Sequence, residues 1–543
     1  MLRTVNNSGR SVDVALAVLL FVGAALYLSA LPYNLNAADE SYFLYEAKRI
    51  RDGEVMYRDV FEFATPLAAY AMAGLFWLFG TSMATARISM AVLHALTGVL
   101  LYATSRRLGV RRELALAVPL AYLAVCQAVW PFASWHWFST FFTTAVLLSM
   151  VAGPWATRPR WMFVPGLLNG FLICVQQQKG VVLTAGTGAV LVADFLVDRR
   201  YPDPGSWRAL ATRLACLAAG VAVIVGPVLL AFALLAGVQP LYDALVRFPL
   251  ENYRANFGSA WGAIAPLSSP FAEYTFPTVL KYAPLALVLP VVNWATDIIA
   301  RRDRAGVRRL SALIVLSGSC ALSIRYLPDM IHIAFVAGVF WVAAAQGLEW
   351  VLSAGHLPAL TRPIGVVMVA LLGSGLVLHL ARNARLLRGQ FPVSHETAFG
   401  RVDFANRWEP VLLDKARQLV AETPSQELFC YPYLSLPYLA TGARNPTPYQ
   451  YLMSGVSPDQ HVKNTLAILD ARRVPYIMGS LFFMRRDDPI AQYIKQHYEF
   501  VPIPEIVGVE ELPTYWIYAR KNPPPAEGGD SQAGSPRAAS AAE

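Results

Sequence analysis

The sequence predicts an α-helical polytopic membrane protein that carries a small C-terminal extracytoplasmic α/β domain. Three observations predict it. Hydrophobic residues make up 56% of the 543 residues and charged residues only 15%, where soluble domains carry about 25% charge. Apolar runs recur from residue 12 to residue 383, each close to the ~20 residues that span a bilayer as helix. From residue 384 onward the runs stop and short β-rich stretches replace them. A mean hydropathy of +0.42 excludes an ordinary soluble chain and a disordered one, since neither holds apolar surface on this scale.

The expected membrane segments are 12–31, 66–80, 86–105, 113–131, 138–153, 162–178, 181–197, 213–236, 277–299, 310–325, 330–352 and 363–383. That is about 11–13 transmembrane helices, some interrupted by Gly and Pro, which membrane helices tolerate when neighbours satisfy the backbone. Arg3 and Arg10 precede the first segment. It is longer than the roughly 7–15 residues of a signal-peptide core, so it reads as a retained helix in preference to a cleaved leader.

Orientation follows from four short loops that hold Arg106, Arg107, Arg111 and Arg112, then Arg158 and Arg160, then Arg199, Arg200, Arg208 and Arg213, and finally Arg301, Arg302, Arg304, Arg308 and Arg309. Arginine-rich short loops stay in the cytoplasm, which leaves the acids to the opposite face. The net charge of +9 then describes orientation in a cytoplasmic membrane, with no nucleic-acid partner implied. Loops 32–65 and 237–276 are less basic, and 32–65 holds seven acids against four bases, so both read as extracytoplasmic. One conflict follows. An odd number of crossings must lie between residues 65 and 106, yet two segments fall there. The weaker, 66–80, opens at Thr65-Pro66 and reads as a half-penetrating or tilted helix.

Residues 1–383 form the membrane module and 384–520 the outer domain. Leu428–Tyr431, Pro475–Met478 and Thr514–Tyr518 read as strands, with helix through Leu466–Arg473; residues 521–543, rich in Pro, Gly, Ser and Ala, read as a disordered tail. Cys126, Cys174, Cys216 and Cys320 fall in membrane segments, and Cys430 stands alone outside them. No internal disulfide and no Cys/His metal spacing follow from this pattern.

The chemistry-bearing segment runs from Asn36 through Asp39, Glu40, Tyr42, Tyr45 and Glu46 to Asp52, Gly53, Tyr57, Arg58 and Asp59. Adjacent helical side chains point apart, so of Asp39 and Glu40 one faces a cleft while the other caps or braces. Asp39 suits the N-cap of a helix that runs through Arg51 and ends at Gly53. On pattern alone, a capped amphipathic helix lying on the membrane is a better fit than an active site.

The Asp39-Glu40 pair, the Ala47-x-x-Ile50-x-x-Gly53 spacing, Tyr57-Arg58-Asp59 and Pro66-Leu67 opening a helix resemble the GT-C glycosyltransferases, most of all the protein O-mannosyltransferase and lipid A aminoarabinose transferase group. The resemblance implies a GT-C fold with an extracytoplasmic site, a polyprenyl-phosphate-sugar donor, and a lipid, glycan or protein acceptor. It implies Asp39 as catalytic base with Glu40 in support, and Tyr42, Tyr45, Arg58 and Asp59 beside the substrates. Where the family often shows Lys-Pro-Pro, this chain has Ala64-Thr65-Pro66, so other cations must hold the donor phosphate.

Two candidates are Lys179, within Gln176–Gly180 and next to Gln177, and Arg325, with Asp329 and His332 one turn beyond it. Charges at membrane depth are costly and usually face a cavity or a partner. Arg would grip a phosphate bidentately and Lys as a point charge. The residues fit plainer readings equally: Lys179 snorkelling to headgroups, and an Arg325–Asp329 ion pair pinning two helix ends. Arg87 reads as interfacial, His136 as part of an aromatic belt between Trp135 and Trp137, His94 as packed, and Arg247, Glu251 and Tyr253 as a solvated loop helix. Tyr431, Tyr433, Asn445, Tyr449, Gln450 and Tyr451 form an aromatic cluster that fits sugar stacking or a packed turn.

No cofactor is required by this chemistry; a divalent cation stays open, without a ligand cluster to hold one. A transporter or flippase would show inverted repeats and interrupted helices near the midplane; no internal repeat is present. A non-enzymatic scaffold would not need paired acids and cations at one membrane face.

Overall fold

The computed structural model describes residues 7–199, 206–253, 259–263, 277–300, 303–353, 361–480, 487–506 and 513–521. Every apolar run named above falls on helix. The first nine helices are α1 (Asn7–Ser29), α2 (Asp39–Arg51), α3 (Leu67–Phe79), α4 (Met83–Arg107), α5 (Arg112–Ala121), α6 (Trp135–Ala152), α7 (Phe163–Val175), α8 (Gln177–Asp198) and α9 (Trp207–Ala236). Helices Val288–Ile299, Arg304–Ser323, Met330–Ser353 and Thr361–Gln390 complete the bundle. Among the described residues six helices are long and apolar enough to cross a membrane. The apolar window of α1 is 11% buried and that of Met330–Ser353 is 78% buried, which puts α1 on the rim and Met330–Ser353 at the centre.

Four expected segments differ in detail. Segment 113–131 is α5, with Pro119 inside it, followed by a π-helical stretch Tyr122–Gln127. Segment 277–299 divides into Pro277–Lys281, a 3-10 turn Ala283–Leu287 and Val288–Ile299. Segments 162–178 and 181–197 meet at Gln176, whose extended backbone (φ −155°, ψ 97°) is the sole residue between α7 and α8. The two helices touch closely there: a Cβ on Gly180 would lie 2.4 Å from the Ile173 backbone nitrogen.

The crossing conflict resolves at α3. Its 13 residues reach ~20 Å at 1.5 Å per residue, short of a ~30 Å hydrocarbon core. Both its ends lie at one end of the bundle. The Thr65 hydroxyl donates to the Ile173 carbonyl (2.8 Å) just before α3, and Phe76 near its finish packs edge-on against Phe399 (5.8 Å). The Met83 amide then donates to the Phe399 carbonyl at 2.8 Å. Between residues 65 and 106 only α4 is long and apolar enough to cross a membrane.

The opposite end collects arginines from the short loops. Arg106 and Arg112 hold Asp13 at 3.2 and 2.8 Å, and Arg111 holds Glu349 at 2.8 Å. Arg213 and Arg308 converge on Asp194, while Arg308 and Arg304 converge on Asp198. The expectation that acids avoid this face is thus corrected. Charges packed between helices need partners, and four of the acids stay to supply them.

Helix Thr361–Gln390 runs into an antiparallel hairpin, β1 (Val393–Thr397) with β2 (Gly400–Phe404). A four-stranded sheet follows in the order β3-β4-β6-β5, with β3 (Leu428–Tyr431) parallel to β4 (Tyr476–Ser480), and with β6 (Tyr515–Arg520) antiparallel to both β4 and β5 (Tyr498–Phe500). Helix Asp459–Ala471 lies in the β3–β4 crossover. The three expected strands are β3, β4 and β6. The hairpin strands are too polar (Val393–Thr397 alternates half-buried and exposed positions) and β5, with three residues, too short to have been read. Residues 522–543 of the expected tail lie outside the described residues.

Candidate active site

Helix α2 starts where the chain leaves α1, and its first two residues diverge. Asp39 is not the N-cap expected: Ala38 holds that position and no side chain caps the helix. Asn36 shapes the entry instead, its side-chain oxygen accepting the Ala38 amide at 3.0 Å and its carbonyl the Ser41 amide at 3.2 Å. The Asp39 carboxylate is therefore left for another partner, the phenol of Tyr433, which donates to it from the C-terminal domain.

Glu40 points the other way into the bundle. It is fully buried and accepts the Arg87 guanidinium (2.7 and 3.2 Å), the Ala133 amide (2.7 Å) and the Asn36 amide (3.1 Å). Arg87 also donates to the Pro131 carbonyl at 2.9 Å. This corrects the interfacial reading of Arg87: it is buried, and it fastens α4 to α2 through Glu40. Glu40 thereby fixes the helix on which Asp39 stands.

At the head of the central helix Met330–Ser353, Asp329 accepts both the His332 amide and its Nδ1–H at 2.9 Å. Asp329 is a helix cap and a histidine partner, so the Arg325–Asp329 ion pair does not form. The Arg325 side chain is exposed and makes no ion pair among the described residues. Lys179 does not snorkel. It is 1% exposed, donates to Ser139 Oγ at 2.8 Å, and lies 5.7 Å from the centre of the Phe335 ring. His136, expected in an aromatic belt, stacks on Phe335 (4.4 Å between centres) and stands 5.2 Å from His332, with Nδ1 3.1 Å from the Gln176 side-chain amide. Lys179, Phe335, His136, His332 and Asp329 thus form one contiguous cluster.

Asp39 faces that cluster. Burial pushes its carboxyl above the ordinary carboxylate range; the Tyr433 bond and nearby His332 oppose the push, and Asp329 adds to it. The remaining sequence candidates have other placements. Gln177 donates to the Phe63 carbonyl (2.7 Å) and accepts the Thr65 amide (3.3 Å), which clips loop 32–65 onto the α7–α8 break. Tyr42 is buried beside Tyr433 and donates to Glu62. Tyr45 stacks on Tyr438 at 4.5 Å and accepts the Asn445 amide at 2.9 Å, docking the C-terminal domain. Arg58 and Asp59 pair with each other at 2.8 Å on the surface of the loop, away from the cluster.

Sequence reading missed the Glu46–Glu62 pair. Both side chains are buried, at 2% and 0% exposure. Glu62 accepts the Tyr42 phenol and the Phe63 and Ala64 amides (both 2.7 Å), whereas Glu46 Oε1 has no partner. Burial pushes Glu62 up to about 7; burial together with the Glu62 charge pushes Glu46 well above the glutamate range. The donors fall on Glu62, so the proton resides on Glu46. Their 16-residue separation has no helical or strand period, so no local signal announces the pair. Among the described residues no group of three or more His, Cys, Asp or Glu side chains is arranged to hold a metal ion.

No family model and no curated protein sequence matches the chain. Its fold does match solved structures. ArnT from Cupriavidus metallidurans bound to undecaprenyl phosphate aligns with a TM-score of 0.59 at 16% identity, over 95% of this chain and 98% of that one. The apo state of ArnT aligns with the same score and identity, over 92% and 97%. The Archaeoglobus fulgidus oligosaccharyltransferase in its apo form aligns with a TM-score of 0.50 at 11% identity, over 86% of this chain and 69% of that one. At these identities the likeness is one of fold, and it agrees with the helical bundle and the C-terminal sheet: the chain has the fold of the GT-C membrane glycosyltransferases.

Proposed function

We propose that the protein transfers a sugar from a polyprenyl-phosphate-linked donor to an acceptor hydroxyl at the extracytoplasmic face of the cytoplasmic membrane. The observation that carries this reading is the cluster in which Lys179, a buried cation without a carboxylate partner among the described residues, reaches through Phe335 and His332 toward Asp39. A structure of the same fold holds undecaprenyl phosphate, which agrees in ligand chemistry.

In the proposed step Asp39 takes the proton from the acceptor hydroxyl, and its raised affinity for that proton makes it a stronger base. The acceptor oxygen forms a bond to the anomeric carbon while the bond from that carbon to the phosphate oxygen breaks. One displacement inverts the anomeric centre. The departing phosphate keeps the electron pair and needs no proton. Lys179 neutralises its growing charge in a water-poor setting where such stabilisation is large, and Arg325 meets it at the exposed edge. Glu40 touches no substrate; it positions α2. No cofactor enters the scheme, and a lipid, glycan or protein hydroxyl serves as acceptor.

The test is turnover by the full-length protein in nanodiscs, supplied with undecaprenyl-phosphate-linked radiolabelled mannose, glucose, galactose or arabinose and a cell-envelope extract as acceptor source. The expected result is consumption of one donor with release of the bare carrier phosphate. Failure to consume any of them, alongside an unchanged envelope glycan profile in a deletion strain, overturns the reading.

A further inference from the structure

The half-buried aromatic side chains around Asp39 close into a ring. From Tyr42 the path runs to Tyr451 (6.3 Å between centres), Phe63 (5.3 Å) and Tyr253 (5.1 Å). It continues through Tyr326 (6.4 Å) and His332 (5.7 Å) to His136 (5.2 Å), and returns through Trp135 (5.7 Å) to Tyr42 (6.1 Å). These rings come from stretches far apart in sequence: α2, the first and second outer loops, the turn before Met330, the start of α6, and the C-terminal domain. A collapsed core would shield all of them. Instead Phe63, Tyr253, Tyr326, His332, His136 and Trp135 each keep accessible surface, and only Tyr42 and Tyr451 are buried.

The collar has two distinct sides. Phe335 lies one turn further along the central helix than His332, away from the outer end, and Lys179 sits against it. On the other side Tyr433, packed on Tyr451 (4.8 Å) and Tyr42 (5.4 Å), holds Asp39. A phosphate on Lys179 and an acceptor oxygen at Asp39 would therefore leave the reacting anomeric carbon between them, at the level of the collar.

We propose that this aromatic collar seats the sugar ring being transferred, and that it disfavours a carboxylate-bearing sugar. The inference rests on the donor reading above and extends it. Aromatic faces meet the apolar C–H faces of a sugar, while phenols and imidazoles meet its hydroxyls. The collar itself contains no lysine or arginine, and Asp39 and Asp329 stand at its edge, so a carboxylate-bearing sugar would be repelled.

The experiment measures binding to the full-length protein in nanodiscs by native mass spectrometry, using undecaprenyl phosphate, its mannosyl and glucosyl forms, and a glucuronosyl form. For at least one neutral form, wild type is expected to bind about tenfold more tightly than it binds the bare lipid, roughly the effect of one or two stacked rings. Phe63→Leu and Tyr253→Leu, made separately in different loops, are each expected to cut that preference to about twofold or less with the affinity for bare lipid unchanged. Lys179→Gln is expected to weaken all forms alike. Wild type that binds bare lipid without preferring any neutral form overturns the collar proposal, as does a preference that survives both loop variants or favours the glucuronosyl form. Wild type that binds no polyprenyl phosphate overturns the donor reading and the collar with it.

Discussion

The phenol of Tyr433, in the C-terminal domain, donates a hydrogen bond to the carboxylate of Asp39 at the first residue of α2. A side chain almost four hundred residues away in sequence thus sets the charge of the proposed base. That bond favours the ionised form of Asp39 and counters the effect of burial. Removing it in Tyr433→Phe raises the carboxyl further. The acid limb of the rate–pH profile is expected to move to higher pH, with transfer near pH 7 down by about tenfold or more, as for a lost hydrogen bond to a charged group. An unmoved acid limb would show that Tyr433 only packs.

Arg87 and Glu40 form a buried pair at 2.7 Å, exposed by 7% and 0%. Two charges desolvated together tolerate joint replacement better than the loss of one partner. Arg87→Met strands the Glu40 carboxylate in the bundle and is expected to cost about 3–5 kcal/mol. Arg87→Met with Glu40→Gln is expected to recover part of that loss. Thermal unfolding of both variants in detergent checks the order; equal melting midpoints for the single and double variants would contradict it.

The helices and the strands β3, β4 and β6 were legible because burial imposes a pattern on each. The apolar runs had the length of a membrane span, and Leu428–Tyr431 sits buried at all four positions. The Asp39–Glu40 divergence was legible from helical geometry alone. What the sequence could not display were contacts between distant segments. Arg87 reads as an interfacial cation until Glu40 is seen 2.7 Å away, and His136 reads as a belt residue until Phe335 is seen beneath it. Most of the collar's ring contacts are of this kind; Trp135–His136 and Tyr326–His332 are local. The Arg325–Asp329 spacing suggested an ion pair, but Asp329 spends its acceptor on the amide and ring of His332.

The Glu46–Glu62 pair sets a pH dependence of stability. A carboxyl whose folded pKa exceeds its unfolded value makes folding take up a proton, so stability falls as pH rises between the two values. For Glu62 the window runs from the ordinary 4.5 to about 7, and Glu46 extends it upward. Glu46→Gln keeps the shape and supplies a permanently neutral partner. Its melting midpoint is expected to fall less than that of wild type between about pH 5 and pH 8. Parallel curves for the two proteins would contradict a shared proton at this pair.

Lys179 donates to Ser139 Oγ at 2.8 Å and makes no ion pair with a carboxylate among the described residues. Lys179→Gln removes the charge and is expected to weaken undecaprenyl phosphate binding by at least about tenfold. Ser139→Ala removes only an orienting acceptor and is expected to cost about 1 kcal/mol or less in binding. Titration of the lipid into the purified variants checks both. Undiminished binding in Lys179→Gln would move the phosphate elsewhere.

The most direct measurement compares the envelope glycans and lipids of a deletion strain carrying wild type or Asp39→Asn, with both proteins shown to be folded and to bind undecaprenyl phosphate. Asparagine preserves shape but accepts no proton at neutral pH. The expected result is a sugar modification restored by wild type and absent with Asp39→Asn, despite normal lipid binding. Full restoration by Asp39→Asn would contradict the assignment of Asp39 as the base.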